Sequence, residues 1–440
     1  MDRVAADRAH LLAANNPKQG AGAYAAVLTL LFLYFVRPED FIKALGAVHL
    51  GRITGLIALG AVTLSMMSGR TVKLPRETKL ILLLFAQLCL CIPFAYWISG
   101  SIAVLQDQYS KAVILAFLVT TIVGSLRWLR QLVFLQAALV VIMVVIALVT
   151  HSTDHSGRLS LGDGVYCNAN DFALTMAINL PFVLLFLLTA KNLFTKAFWA
   201  LGALAILYGV MATYSRGGFL AMSLGGLICF WDFIIKGRRL HLAILGGFVA
   251  LMLLMAVPNH YVGRIATIFT QGEDPTGLSG SSLEARRELL DLSLNVALHH
   301  PIFGVGPGNF PVVTGHWQVA HNTYSELAAE AGFPALLIFL LLLRCAYVSI
   351  RDARKLAIQA GDRELQLFAG ALWASLAAYT LGAFFADTAY ELYAYFLLSY
   401  IPVFHRIVQT STAKNAPASA ESAGGLRGLG FVNSQLSSIR

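Results

Sequence analysis

The sequence predicts an all-α fold, a polytopic transmembrane helical bundle, and three observations carry that reading. Hydrophobic residues make up 58% of the 440 and charged residues 12%, with a mean hydropathy of +0.70, a balance found in chains of stacked membrane helices. Apolar runs of about 15 to 22 residues recur along the chain, close to the length that crosses a hydrocarbon core. The lysines and arginines fall mostly in every second connecting loop, as the positive-inside rule requires.

Taken in order, residues 1–20 are polar and mixed, without the basic, apolar and small-residue regions of a cleaved signal, and read as a cytoplasmic tail. Apolar runs then lie near 22–36, 53–68, 80–98, 112–125, 132–150, 172–190, 197–213, 217–235 and 240–257, which predicts nine spans within residues 21–257. Residues 258–327 form a large external loop between spans nine and ten. Further runs near 328–343, 366–386 and 388–405 bring the total to about twelve spans and place the last three within 328–405. Residues 406–440, rich in Ser, Ala, Gly and Asn, predict a disordered cytoplasmic tail.

The formal charge of +9 does not indicate a nucleic-acid partner, because its cations sit in membrane-flanking loops. With the N-terminus cytoplasmic, most of the 32 lysines and arginines lie on the cytoplasmic side. The 258–327 loop then faces away from the cytoplasm, where ATP and nucleotide sugars are not available. The five cysteines are too dispersed for a disulfide framework or a zinc site.

Polar chemistry concentrates between Ser281 and Gly332. Ser281 and Glu284 form a capping box for a helix that stops at Pro301. At helical spacing Glu284, Arg287, Glu288, Asp291 and Asn295 share one face, while Arg286 lies with Leu290, Ser293 and Ala297 on the face expected to pack inward. A guanidinium directed there needs an anion or carbonyl partner, whether a ligand or a neighbouring carboxylate. Gly304-Val305-Gly306-Pro307-Gly308-Asn309-Phe310 follows a helix rather than a strand, so it reads as a tight turn and not as a dinucleotide loop. Next come His316 and the run His321-Asn322-Thr323-Tyr324. The residues alone do not choose among His299, His300, His316 and His321.

Two other external segments add candidates. The loop between spans five and six carries Arg158, Asp163, Asn168, Asn170 and Asp171. The turn Thr213-Tyr214-Ser215-Arg216-Gly217-Gly218 holds Arg216 at a membrane boundary with almost no loop around it, a position that marks a functional candidate or a snorkelling anchor. Asn170 and Asn322 are sugar contacts or helix caps, Tyr324 a substrate contact or an interfacial aromatic. Asp387 and Glu391 read as helix-end carboxylates.

An external Y-S-R-G-G turn, an S-x-x-x-R helix ahead of a P-x-x-G-x-G-x-G-N-F turn, and an H-N-x-Y run entering a span together resemble the O-antigen ligase and O-antigen polymerase superfamily. The topology is similar over roughly residues 20–405, and the specific motifs lie between about 170 and 332. The resemblance implies a C-type glycosyltransferase-like membrane enzyme in a bacterial inner membrane, with its site facing the periplasm. It implies transfer of a glycan from a polyprenyl diphosphate carrier to an acceptor hydroxyl, on a lipid A core sugar or another glycan, with no cofactor, nucleotide sugar or metal. By motif, the family's catalytic arginines fall on Arg216 and Arg286 and its histidine on His321, with Asn170, Asn322, Arg158 and Tyr324 as candidate substrate contacts. One departure is Leu290, where many members carry tryptophan. A lipid-linked glycan transporter is the rival of another class, and it calls for charge through the bilayer midplane rather than on one external face.

Overall fold

The computed structural model describes residues 21–36, 38, 50–67, 73–162, 166–238, 244, 247, 282–316 and 318–415. Its helices are α1 (Ala21–Val36), α2 (Leu50–Met67), α3 (Arg76–Phe94), α4 (Ile98–Ile122), α5 (Leu126–Val149), α6 (Ala169–Thr189), α7 (Leu193–Ala212), α8 (Arg216–Ile235), α9 (Ser282–His299), α10 (Phe310–Thr314), α11 (Thr323–Gln359), α12 (Arg363–Gly382) and α13 (Leu392–Asn415). Among the described residues the strand pairing is confined to one antiparallel bridge, Thr153 to Leu159. Eight of the helices, α3 to α8, α11 and α12, are long and apolar enough to cross a membrane; α1 is apolar and shorter. The chain is a multi-pass membrane protein. The segment expected at 1–20, that at 240–257 apart from residues 244 and 247, the first part of the 258–327 loop, the Ser281 cap, Asp163 and residues 416–440 of the expected tail lie outside the described residues.

Three boundaries differ from the sequence reading. Helix α4 begins at Ile98, through Gln106, Asp107, Gln108 and Ser110, which the hydropathy pattern assigns to a loop before a span at 112–125. A π-helical turn at Leu105–Tyr109 carries the helix across this polar stretch, burying Leu105 and Tyr109. Helix α11 extends beyond both ends of the 328–343 run, from Thr323 to Gln359, and its 27 residues after Gly332 would reach about 40 Å at 1.5 Å each. Helix α13 continues to Asn415, beyond the boundary at 405 set for a disordered tail, because Ile407 and Val408 remain buried.

Helices α6, α8 and α12 pack against one another. Small residues permit the approach: a Cβ on Gly218 would lie 2.4 Å from that of Ala173, and one on Gly225 3.3 Å from that of Ala378. Helix α11 packs on α3 and α13, and α9 lies along the start of α11. A buried polar chain ties α5, α6 and α13, with the Tyr400 hydroxyl donating to Gln136 Oε1 (2.8 Å) and Gln136 Nε2 to Asn179 Oδ1 (2.9 Å).

The expected tight turn is present. Gly304, Gly306 and Gly308 have φ of 62°, 100° and 74°. Helix α11 is broken at Gly332 (φ 78°), and the turn lies directly on the break: Val305 N donates to Ala329 O (3.0 Å), Gly306 N to Glu330 O (2.9 Å) and Phe333 N to Pro301 O (2.8 Å). A Cβ at Gly304 would fall 2.2 Å from the Glu330 carbonyl carbon, so the backbones meet only because no side chain stands between them. Pro334 sits in the first turn after the break, where its missing N–H costs little.

Candidate functional site

Two helices begin at the same end of the bundle in the same way. Ser215 caps α8, its Oγ accepting from Gly218 N at 3.2 Å, and Asn322 caps α11, its Oδ1 accepting from Tyr324 N at 3.0 Å and Ser325 N at 3.2 Å. The residue before each cap is left-handed: Tyr214 and His321 both have φ of 51°. Such backbone costs roughly 1–3 kcal/mol for a non-glycine residue and tends to gather at working sites. Arg216 is the first residue of α8 and is half-buried.

His321 is held against the turn after α12. Thr323 N donates to Ala383 O (2.9 Å), the Thr323 hydroxyl to Ala386 O (2.8 Å), and Thr388 N to Thr323 Oγ1 (3.0 Å). These bonds set Asp387 beside His321, with Nδ1 and Oδ1 3.5 Å apart. That is ion-pair distance and long for a hydrogen bond. Both atoms are buried, and among the described residues neither makes a hydrogen bond. Among the described residues His299 and His316 are exposed, and His300 lies edge-on to Tyr96; His321 alone of the four faces a carboxylate. The sequence reading of Asp387 as a helix-end carboxylate missed this pairing, which arises between distant parts of the chain.

Arg158, Asn170 and the Arg216 turn meet directly. Asp154 Oδ1 accepts from Ser156 N (2.8 Å) and Arg158 N (3.0 Å), which folds residues 154–158 back. Leu159 N donates to Ala212 O (3.0 Å), docking this loop on the end of α7. Arg158 Nε then donates to Thr213 O (2.8 Å) and Nη2 to Asn170 Oδ1 (2.7 Å). The arginine therefore supports the strained turn that carries Tyr214 and Arg216. Gly217, next to Arg216, packs against Phe385, two residues before Asp387.

On α9 the two faces are as the spacing predicts: Arg287, Glu288, Asp291 and Asn295 are exposed, Ser293 and Ala297 buried, and Arg286 half-buried. Leu289, one turn beyond Arg286, packs with Ala320, Phe310 and Ala329, so the Arg286 helix rests on the segment that ends in His321. Tyr324 turns inward; its hydroxyl donates to Thr380 O (2.9 Å) and its ring packs on Phe384, which is a contact that pins α11 to α12.

Glu330, which the sequence reading passed over, organises the glycine turn. Its Oε2 accepts from Gly308 N (2.7 Å) and the Tyr390 hydroxyl (2.9 Å), and its Oε1 from Phe310 N (3.0 Å). One buried carboxylate thus ties the turn, α11 and the segment after Asp387 together. A glutamate within an otherwise apolar run was the available signal. Among the described residues no cluster of His, Cys, Asp and Glu has the arrangement of a metal site.

Residues 201–340 match the family model described as O-antigen ligase. This match supports a place in the O-antigen ligase superfamily. It includes Arg216, Arg286 and His321 and stops short of Asp387. No curated protein is similar enough to match. The family is one of glycosyltransferase-like membrane enzymes acting on lipid-linked glycans, in keeping with the eight apolar helices.

Proposed function

We propose that the protein is a glycosyl transferase of the O-antigen ligase type, which moves a saccharide from a polyprenyl diphosphate carrier to an acceptor hydroxyl on the periplasmic side of the inner membrane. The observation that carries this reading is the pairing of His321 with Asp387 beside the Arg216 turn, within and next to the segment that matches the family.

In this mechanism Asp387 holds the imbalance of charge on the imidazole and fixes its Nδ1 as the protonated nitrogen. Nε2 is then the base. The acceptor oxygen attacks the anomeric carbon as its proton passes to Nε2, and the bond from that carbon to the diphosphate oxygen breaks. Polyprenyl diphosphate leaves with the electron pair, and a single displacement inverts the anomeric centre. Charge grows on the diphosphate as the bond breaks, and the guanidinium groups of Arg216 and Arg286 offer forked donors that match its oxygens. Arg158 acts through the Thr213 carbonyl and Asn170 to hold the Arg216 turn.

A surface-polysaccharide polymerase would share donor and leaving group and differ in acceptor. Purified protein given one carrier-linked glycan, with lipid A core in one reaction and a second carrier-linked repeat in another, separates the two. Product on the core alone supports the ligase reading; product on the repeat alone replaces it with polymerisation. Product on neither acceptor, with donor intact, removes the transferase reading and favours transport.

A further inference from the structure

The far end of the bundle holds a second chemically distinct place. Helix α8 runs from Arg216 to Ile235, about 30 Å at 1.5 Å per residue, so its last turns and the Arg354 segment of α11 that meets them lie far from the His321 end. Between the end of α8, the last turns of α11 and Trp373 of α12 is an open cavity of about 550 Å³. A π-helical turn, Phe230–Ile235, forms one wall, a distortion that recurs at functional sites.

The cavity combines fixed charge with exposed apolar surface. Asp232, whose side chain is 10% exposed, accepts from Arg354 Nη2 at 2.6 Å and from Lys236 Nζ at 2.9 Å. Arg354 also lies over the Trp373 ring, 5.2 Å from its centre, which fixes the guanidinium in place. Arg351 and Lys355 stand one turn apart at the rim, with side chains 57% and 64% exposed, and among the described residues their carboxylate partner is Asp352, at 3.3 and 3.8 Å. Four cations thus face two carboxylates. Leu227, Trp231 and Ile358 line the same opening and are more than half exposed.

A free anion would use the cations and leave the apolar wall wet; an apolar chain would use the wall and leave the cations unmatched. A phospholipid with a net negative headgroup uses both, its phosphate at the rim and an acyl chain along Leu227 and Ile358, with Trp231 at the interface. Basic pockets between membrane helices bind anionic headgroups in this manner. The geometry points to a binding site for an anionic phospholipid at the α8–α11–α12 end, separate from the His321 site. Charge complementarity selects this occupant, whatever the chemistry at the His321 end.

The test is a titration of the full-length protein in detergent with dioleoyl phosphatidylglycerol, dioleoyl phosphatidylcholine or inorganic phosphate, followed by thermal unfolding. The expected result is a saturable rise in midpoint with phosphatidylglycerol and none with the other two. Arg351→Gln with Lys355→Gln, both at exposed positions, should raise the half-saturating lipid concentration about 25-fold, at roughly fivefold per cation. Lys191→Gln with Lys196→Gln, one in the loop after α6 and the other in the first turn of α7, should leave it unchanged. An unaltered titration in the rim variant overturns the site, and so does an equal loss in the loop variant, which would mean diffuse surface charge. A rise with inorganic phosphate equal to that with lipid would make it a free-anion site and overturn the lipid assignment.

Discussion

His321 Nδ1 and Asp387 Oδ1 face each other at 3.5 Å, one from the residue before the cap of α11 and the other from the turn after α12. Three hydrogen bonds to Thr323 hold those two segments in register. In the proposed mechanism the gap is expected to close to a hydrogen bond when the imidazole gains charge, as catalytic pairs tighten in the reacting complex. Asp387→Asn keeps the volume and removes the charge. It is expected to lower the transfer rate by about 10² or more while the donor concentration at half-maximal rate stays within about threefold. Steady-state kinetics on membranes at matched expression check this. A loss of donor affinity with an unchanged rate would assign Asp387 to binding instead.

Arg158 bridges Asn170 to the Thr213 carbonyl, so in the proposed site the two are expected to act on the Arg216 turn as one unit. Arg158→Gln and Asn170→Ala should each reduce transfer, and the double variant should be no worse than Arg158→Gln alone. Arg158→Lys should not restore activity, because an ammonium cannot reach both acceptors with the planar fork of a guanidinium. A double-mutant cycle measures the coupling. Additive losses would mean that the two side chains work separately.

Glu330→Gln replaces one acceptor oxygen with an NH2 group, which then faces the N–H or O–H donors that Glu330 receives from Gly308, Phe310 and Tyr390. Leaving buried donors unsatisfied costs roughly 1–3 kcal/mol. Tyr390→Phe loses one bond, at about 0.5–1.5 kcal/mol. Thermal unfolding in detergent should rank wild type above Tyr390→Phe and both above Glu330→Gln.

Gly304 and Gly315 have similar positive φ, 62° and 67°, and different surroundings. A Cβ at Gly304 would strike the backbone of α11 at 2.2 Å, whereas nothing lies within 4 Å at Gly315. Gly315→Ala should therefore cost only the left-handed backbone penalty of about 1–2 kcal/mol. Gly304→Ala should cost more and displace the turn, seen as lower folded yield and a lower unfolding midpoint.

The sequence showed what periodicity and local chemistry can report. Hydropathy identified a membrane bundle, helical spacing separated Arg286 from Arg287, and glycine spacing marked the turn at 304–308. The start of α4 was hidden because Gln106, Asp107 and Gln108 interrupt the apolar run, and only the folded chain buries Leu105 and Tyr109 on either side of them. Asp387 and Glu330 were illegible for a different reason. Their roles depend on partners brought from distant segments, and no spacing rule reports which polar groups meet across a bundle. Tyr324 and Asn322 show the reverse case: motif position marked them as contacts, and the structure shows the bonds they make to Thr380 and to the start of α11.

The most direct measurement compares glycan transfer by wild type, His321→Ala, Arg216→Ala and Arg286→Ala in membranes at matched expression, with binding of the carrier-linked donor measured in parallel. The expected result is loss of product in all three, with donor binding weakened in the two arginine variants and largely kept in His321→Ala. Transfer that survives all three substitutions would contradict the assignment of this site.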